Sequence, residues 1–241
     1  MTGIVIYNPT AGRGRVTRTR QGAQAILGSE WEWRATERPG HAVELARQAA
    51  QAGIPTVAAC GGDGTVGDVA RGLIGSATAL GVLPLGTGND VARNLGIPLD
   101  LSAACAILQA GFSRAIDMGE VNGLPFLNNT GAGFDSRVMK RMNSPGRWWR
   151  GSNAFLLAIL RELPGFRPFS LTVRFDEQPA ETLSAMMISV LNGPAYAGGI
   201  RACPDNLMDD GAVDVMIIKA ISKPRLFALI PKVLAGRHRS H

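Results

Sequence analysis

Cysteine is scarce in this chain of 241 residues: Cys60, Cys105 and Cys203 stand far apart and show no paired spacing. That pattern rules out a disulfide framework and predicts a reducing, cytoplasmic compartment. Histidine is as sparse, with three residues, two of them among the last four, so zinc ligands and a Ser/His/Asp triad are poorly supplied. Long apolar runs are missing as well. The N-terminal one breaks at Asn8-Pro9, too early for a signal peptide, and none approaches a membrane span, so the chain reads as soluble. No Gly-Lys-Ser or Gly-Lys-Thr occurs, which removes the Walker phosphate loop. Internal repeats at solenoid spacing and low-complexity linkers are absent too. With 46% hydrophobic and 18% charged residues, the chain is an ordinary globular one with room for one large domain or two modest ones. The formal charge of +6 suits anionic partners: nucleotide phosphates, an acidic membrane surface or nucleic acid.

Glycine, by contrast, is plentiful and placed with a pattern. The apolar run Thr56-Val57-Ala58-Ala59-Cys60 turns through Gly61-Gly62-Asp63-Gly64-Thr65 and continues as a helix through Val66, Gly67 and Asp68. A buried strand, a turn almost free of side chains and a helix directly behind it let backbone amides and a helix dipole approach a ligand closely. Asp63 would repel a bare phosphate, so the loop makes sense with a cation or hydroxyl between them, which points to a metal–nucleotide site. The same logic recurs at Leu80-Gly81-Val82-Leu83-Pro84-Leu85, followed by Gly86-Thr87-Gly88-Asn89-Asp90. It recurs again at Ile4-Val5-Ile6-Tyr7, followed by Asn8-Pro9-Thr10-Ala11-Gly12-Arg13. Any one of these is read equally well as an ordinary βα turn. Three together predict three loops on one edge of a parallel sheet, where open α/β folds bind ligands. Gly62, Gly64 and Gly67 also spell a dinucleotide fingerprint, but the ribose-binding acid expected about 20 residues on is missing.

Between these units, 16–27 reads as a surface helix, 31–35 as the second strand, and 41–52 as a helix with Ala42, Leu45, Ala46 and Ala49 at helical spacing. His41, beside Gly40, reads as a helix cap, with a ligand or base role as the alternative. A further helix over 101–110 stops at Gly111. From 115 the texture becomes β-rich: an alternating run to Val121, the tight-turn pair Asn122-Gly123, a returning strand over 125–129, a hairpin from 169 to 191, and a strand over 212–218. These readings divide the chain into an α/β nucleotide-binding domain, 1–115, and a β-rich domain, 116–241, with a cleft between them.

The combination of Asn8-Pro9 with Gly12, Gly61-Gly62-Asp63-Gly64-Thr65, and Leu83-Pro84-Leu85-Gly86-Thr87-Gly88-Asn89-Asp90 with Ala92-Arg93 resembles the bacterial diacylglycerol and related lipid kinases. Sphingosine and ceramide kinases belong to the same superfamily, and NAD kinases and phosphofructokinases are distant relatives. The similarity extends through 128–138 and Asp209-Asp210-Gly211, so it covers nearly the whole chain. It implies an NAD kinase-like and phosphofructokinase-like α/β domain with a parallel sheet, then a β-sandwich domain. It also implies ATP-dependent phosphorylation of a lipid hydroxyl, diacylglycerol foremost, with Mg²⁺. Carried over by position, ATP is surrounded by Asn8, Pro9, Thr10, Ala11, Gly12, Arg13, Thr36, Gly62, Asp63, Gly64, Thr65, Val66, Gly67, Asp68 and Thr87. Arg13 stands where relatives often have lysine, and Asp68 where glutamate is usual. Asp63 and Asp135 are assigned to the catalytic Mg²⁺ network, with a helix cap as the plain alternative for Asp135. Asp210, with carbonyls at Leu207 and Ala212, is implied to hold a structural cation, where the plain alternative is a turn.

Lys140, Arg141, Arg147, Trp148, Trp149 and Arg150 form a basic, indole-bearing segment that suits an interfacial surface, with a solvated loop as the plain alternative. The expected partners are a lipid substrate and, peripherally, an anionic membrane; nucleic acid is not among them, and a homodimer is open. Relatives continue past the region matching Gly236-Arg237-His238 to an Asp-Gly-Glu segment whose glutamate is the general base. With the sequence stopping at His241, the expectation is a truncated or shortened member with an incomplete β domain. Two further readings stand beside the lipid kinase: a non-catalytic ATP-binding, membrane-docking module, and a soluble kinase of the NAD kinase type, which the tryptophan–arginine segment disfavours.

Overall fold

In a computed structural model, which describes residues 2–10, 15–142 and 152–234, the first half of the chain alternates strand and helix. The strands β1 (Gly3–Tyr7), β2 (Trp31–Ala35), β3 (Thr56–Gly61) and β4 (Ala79–Pro84) form one parallel sheet in the order β2-β1-β3-β4. Every residue of β1 is buried, and β3 is buried from Val57 onward, as expected of strands covered on both faces. Alternation then divides the core. Ile4, Ile6, Val57 and Ala59 face α2 (His41–Gln51) and α3 (Asp63–Leu73), whereas Val5, Tyr7, Ala58 and Cys60 face α1 (Arg15–Leu27) and α5 (Leu101–Ala110). The predicted stripe on α2, Ala42, Leu45, Ala46 and Ala49, is the buried one. Cys60 and Cys105 both lie in the second cluster with no exposed surface. Burial pushes the Cys60 thiol up to about 12, and the neighbouring Cys105 adds to this.

After a single-turn α4 (Asp90–Asn94), α5 and a segment without regular structure, the chain becomes antiparallel. β5 (Gly119–Val121) and β6 (Leu124–Phe126) form a hairpin across Asn122 and Gly123, both at positive φ, as that dipeptide predicts. Next come β7 (Asn129–Gly133), α6 (Phe134–Met142), α7 (Ser152–Glu162), β8 (Phe169–Val173), β9 (Glu181–Leu191), β10 (Asp214–Lys219) and α8 (Lys223–Leu234). The eleven-residue β9 is the spine: β10, β7 and β8 all pair with it, antiparallel. Phe134, Val138, Ile159, Phe166, Met186 and Leu226 build the core beneath.

The structure departs from the sequence pattern in several places. The alternating run from 115 yields a strand only at Gly119–Val121. The return strand expected over 125–129 splits into β6 and β7, because Leu127 turns inward and joins the core of the parallel sheet. The helices α6 and α8 carried no clear signal, and α8 contains Pro224 and Pro231, which argue against a helix in isolation. Burial of Leu226 against the antiparallel sheet is what holds it. Among the described residues, no helix is long and apolar enough to cross a membrane.

Candidate functional site

In the order β2-β1-β3-β4 the chain leaves β1 in one direction, to β2, and leaves β3 in the other, to β4, so the sheet has its switch point between β1 and β3. The segments leaving all four strands meet there around a cavity of about 590 Å³. β1 supplies Asn8, Pro9 and Thr10; β2 supplies Thr36; β3 supplies Gly62, Gly64, Thr65 and Asp68; β4 supplies Gly86 and Thr87. The Asn8 side chain shapes the first loop by accepting from the Thr10 N–H at 2.9 Å and its hydroxyl at 2.8 Å. The second and third loops touch backbone to backbone: a Cβ on Gly86 would lie 2.3 Å from the Gly62 Cα, a distance no real atom tolerates. Asn89 pins the third loop. Its Oδ1 accepts from the Gly86 N–H at 2.8 Å, and its Nδ2 reaches the Gly86 and Pro84 carbonyls at 3.2 and 3.4 Å.

Asp63 opens α3 between the two cavity-lining glycines, and its Oδ1 accepts from the Val91 N–H at 2.9 Å. Its other oxygen faces Asp90 across Gly88: a Cβ there would stand 2.9 Å from Asp63 Oδ2 and 3.3 Å from Asp90 Oδ2. Asp90 is 5% exposed; its Oδ2 accepts from the Gly198 N–H at 2.8 Å, and its Oδ1 is buried without a partner. Burial raises its proton affinity, Gly198 opposes this, and the Asp63 charge adds to it. Two carboxylates held this close, with one oxygen unspent, form a site short of positive charge. Asp68 has its carboxylate paired with Arg71 at the cavity wall.

Asp135 stands in the first turn of α6. Its Oδ2 accepts from the Ser189 hydroxyl at 3.0 Å, and burial raises its proton affinity against that bond. Tyr196 is half-buried beside the same pair; desolvation and the Asp135 charge push its phenol up, and a hydrogen bond with Ser189 opposes them. Asp210 sits in a turn where its Oδ1 accepts from the Ala212 N–H at 3.1 Å, and the Gly211 N–H donates to Asp117 Oδ2 at 2.7 Å. Leu207 is more than half exposed beside it, and Arg114 pairs with Asp209 at 2.9 Å. Of the basic segment, Arg137 and Arg141 both pair with Glu162, while Arg147, Trp148, Trp149 and Arg150 lie outside the described residues.

The diacylglycerol kinase catalytic domain family matches residues 2–121, and the YegS C-terminal NAD kinase beta sandwich-like domain matches 128–241. A diacylglycerol kinase of Bacillus subtilis is 32% identical over 97% of this chain and 79% of its own length. A probable YegS-like lipid kinase of Pseudomonas aeruginosa is 36% identical over 89% of this chain and 71% of its own. The chain belongs to the bacterial diacylglycerol kinase and lipid kinase family. Its fold agrees: the solved structure of a putative diacylglycerol kinase from Bacillus anthracis superposes with a TM-score of 0.75 at 25% identity, over 96% of this chain and 79% of that one.

Within this lipid kinase frame, nine residues read from the sequence as nucleotide-binding line the cavity together: Asn8, Pro9, Thr10, Thr36, Gly62, Gly64, Thr65, Asp68 and Thr87. Asp63, Val66 and Gly67 do not line it, Val66 being buried in the core and the Asp63 carboxylate held by the Val91 N–H, and Ala11, Gly12 and Arg13 lie outside the described residues. The sequence reading gave no role to Asp90, to Asp117, or to the stretch from Glu37 to Gly40 that closes the cavity after β2. That stretch was findable, since it follows Thr36 at the same sheet edge. His41 ties it down by accepting the Glu37 N–H on Nδ1 at 3.1 Å.

Proposed function

We propose that this chain transfers the γ-phosphoryl group of ATP to a lipid hydroxyl, with diacylglycerol the foremost acceptor. The observation that carries the reading is the cavity at the switch point, walled by Gly62, Gly64 and Gly86, with Asp63 standing in the chain between the first two. Bare backbone and the N-terminus of the eleven-residue α3 suit a polyphosphate: unpaired N–H groups and the positive end of the dipole point where the anion would lie. Relatives named as diacylglycerol and lipid kinases support the choice of acceptor.

The donor set also fits Mg²⁺. Asp63 and Asp90 offer only oxygens, and the buried Asp90 Oδ1 has no other partner. These two residues would hold the ion, which supplies neutralisation of the charge on the transferring phosphoryl. The chain's own groups do the rest. The Val91 and Gly198 N–H groups fix the two carboxylates, and Thr36 and Thr87 offer hydroxyls to the nucleotide. Asp135, held by the Ser189 hydroxyl, is assigned to the same Mg²⁺ network from the antiparallel half. The turn at Asp210, with the Leu207 and Ala212 carbonyls, is assigned a structural cation. A net charge of +6 brings the protein to anionic membranes as a peripheral, cytoplasmic visitor.

The test is incubation with γ-labelled ATP, Mg²⁺ and mixed micelles containing diacylglycerol, ceramide or sphingosine. Label is expected in the lipid extract, and Asp63→Asn should lower it by about 100-fold or more. Nucleotide bound with no lipid labelled from any acceptor would make the chain an ATP-binding module instead.

A further inference from the structure

The α4 helix, one turn long, carries Asp90 at its start and Asn94 at its end, and both side chains reach the loop over 193–199 of the antiparallel half. Asn94 uses its whole amide there. Nδ2 donates to Ala195 O at 2.8 Å and to Asn128 Oδ1 at 2.7 Å, and Oδ1 accepts from the Ala195 N–H at 3.2 Å. The opposing loop is built to receive it: a Cβ on Gly193 would lie 2.4 Å from Asn94 Nδ2 and 2.6 Å from Asn128 Oδ1. Beyond Ala195 the loop bends through three successive positive-φ residues, Ala197 at 54°, Gly198 at 89° and Gly199 at 99°. An alanine resists the left-handed region, so surrounding contacts must hold it there. The bend presents the Gly198 N–H to Asp90, while the Val91 N–H on the same turn holds Asp63.

We propose that Asn94 is a positioning residue: it clasps the 193–199 loop to α4 and so fixes where the Asp63–Asp90 pair stands relative to the antiparallel half that presents the acceptor. Its use in catalysis rests on the lipid kinase reading above; the clasp itself does not. In that reading the nucleotide lies in the cavity lined by the loops after β1 to β4, which holds neither Asn94 nor any residue of the 193–199 loop, so loss of the clasp acts on transfer and not on ATP binding.

Asn94→Asp keeps the shape of the side chain but turns Nδ2 into an oxygen facing two acceptors. Asn94→Ala removes the clasp without repulsion, and Gly193→Ala pushes it apart from the other side. Each variant is read in two ways. Hydrogen exchange at the Gly198 amide should quicken by about tenfold or more in all three, while amides in β1 keep their protection. With ATP and lipid micelles, kcat should fall by about tenfold or more with the ATP KM within about twofold, and Asn94→Ala combined with Gly193→Ala should cost little more than either alone. A merely stabilising contact would instead loosen β1 along with the loop, or raise the ATP KM in step with the loss of kcat, and either result overturns the proposal. So does a Gly198 amide that exchanges as in the unaltered protein, or a kcat unchanged while that amide is freed. Should the unaltered protein label no lipid at all, the function proposed above fails on its own, and the Gly198 exchange still decides the clasp.

Discussion

At Asn89 the backbone turns through φ 56° and ψ 40°, a left-handed conformation that side chains resist, and the residue is buried there by three hydrogen bonds to its own loop. Asn89→Ala loses those bonds and keeps the strain, so a loss of about 2–3 kcal/mol is expected in urea unfolding. Asn89→Gly relieves the strain and should recover roughly 1 kcal/mol of it. Asp135 behaves in the opposite sense, because burial raises its proton affinity above the ordinary 3.8 in the folded state. The folded protein therefore holds a proton there that the unfolded chain has released. The stabilisation this brings is complete below pH 3.8 and is lost as pH rises through the higher folded value. Asp135→Asn should remove that slope and raise the melting temperature at neutral pH, as thermal scans between about pH 4 and 7 would report.

Helix α3 carries its glycines for different reasons. A Cβ on Gly72 would meet the Val43 carbonyl at 2.5 Å and the Ala46 Cβ at 2.6 Å, so α2 and α3 approach closely only because that side chain is absent. Gly72→Ala is expected to cost about 1–3 kcal/mol through overpacking. A Cβ on Gly67, in the same helix, meets nothing within 4 Å. Gly67→Ala should stabilise by up to about 1 kcal/mol through helix propensity, and chemical denaturation of the pair would give opposite signs. Sequence reasoning reached α3 and the three glycine loops because a buried strand, a bare turn and a helix leave a local pattern. It missed β7 because Gly131, Ala132 and Gly133 have no intrinsic preference for a strand; pairing with Ile188 and its neighbours on β9 makes them one.

For the whole molecule, what the sequence withheld is contact across distance. Asp90 closes the third glycine loop in the sequence pattern, yet the amide that holds its carboxylate, Gly198, lies 108 positions further on. Leu127 and Met208 likewise join the core of the parallel sheet from the antiparallel half, which no local periodicity announces. Net charge, in contrast, is a property of the whole that composition does report. With +6 at neutral pH, sedimentation with anionic vesicles should be strong at about 0.05 M salt and largely lost by about 0.5 M, and neutral vesicles should capture little at either. Equal capture at both salts would count against charge as the attraction.

The two enclosed thiols of the parallel sheet turn the protein into its own stopwatch. A maleimide cannot reach Cys60 or Cys105 in the closed fold, and a thiol pushed up to about 12 supplies almost no thiolate until it is released into water. Their alkylation rate therefore counts the openings of the α/β half, while Cys203, partly accessible in the antiparallel half, keeps time for the other. Mass spectrometry of the three cysteine peptides with and without nucleotide would reveal whether ligand binding slows one clock or both.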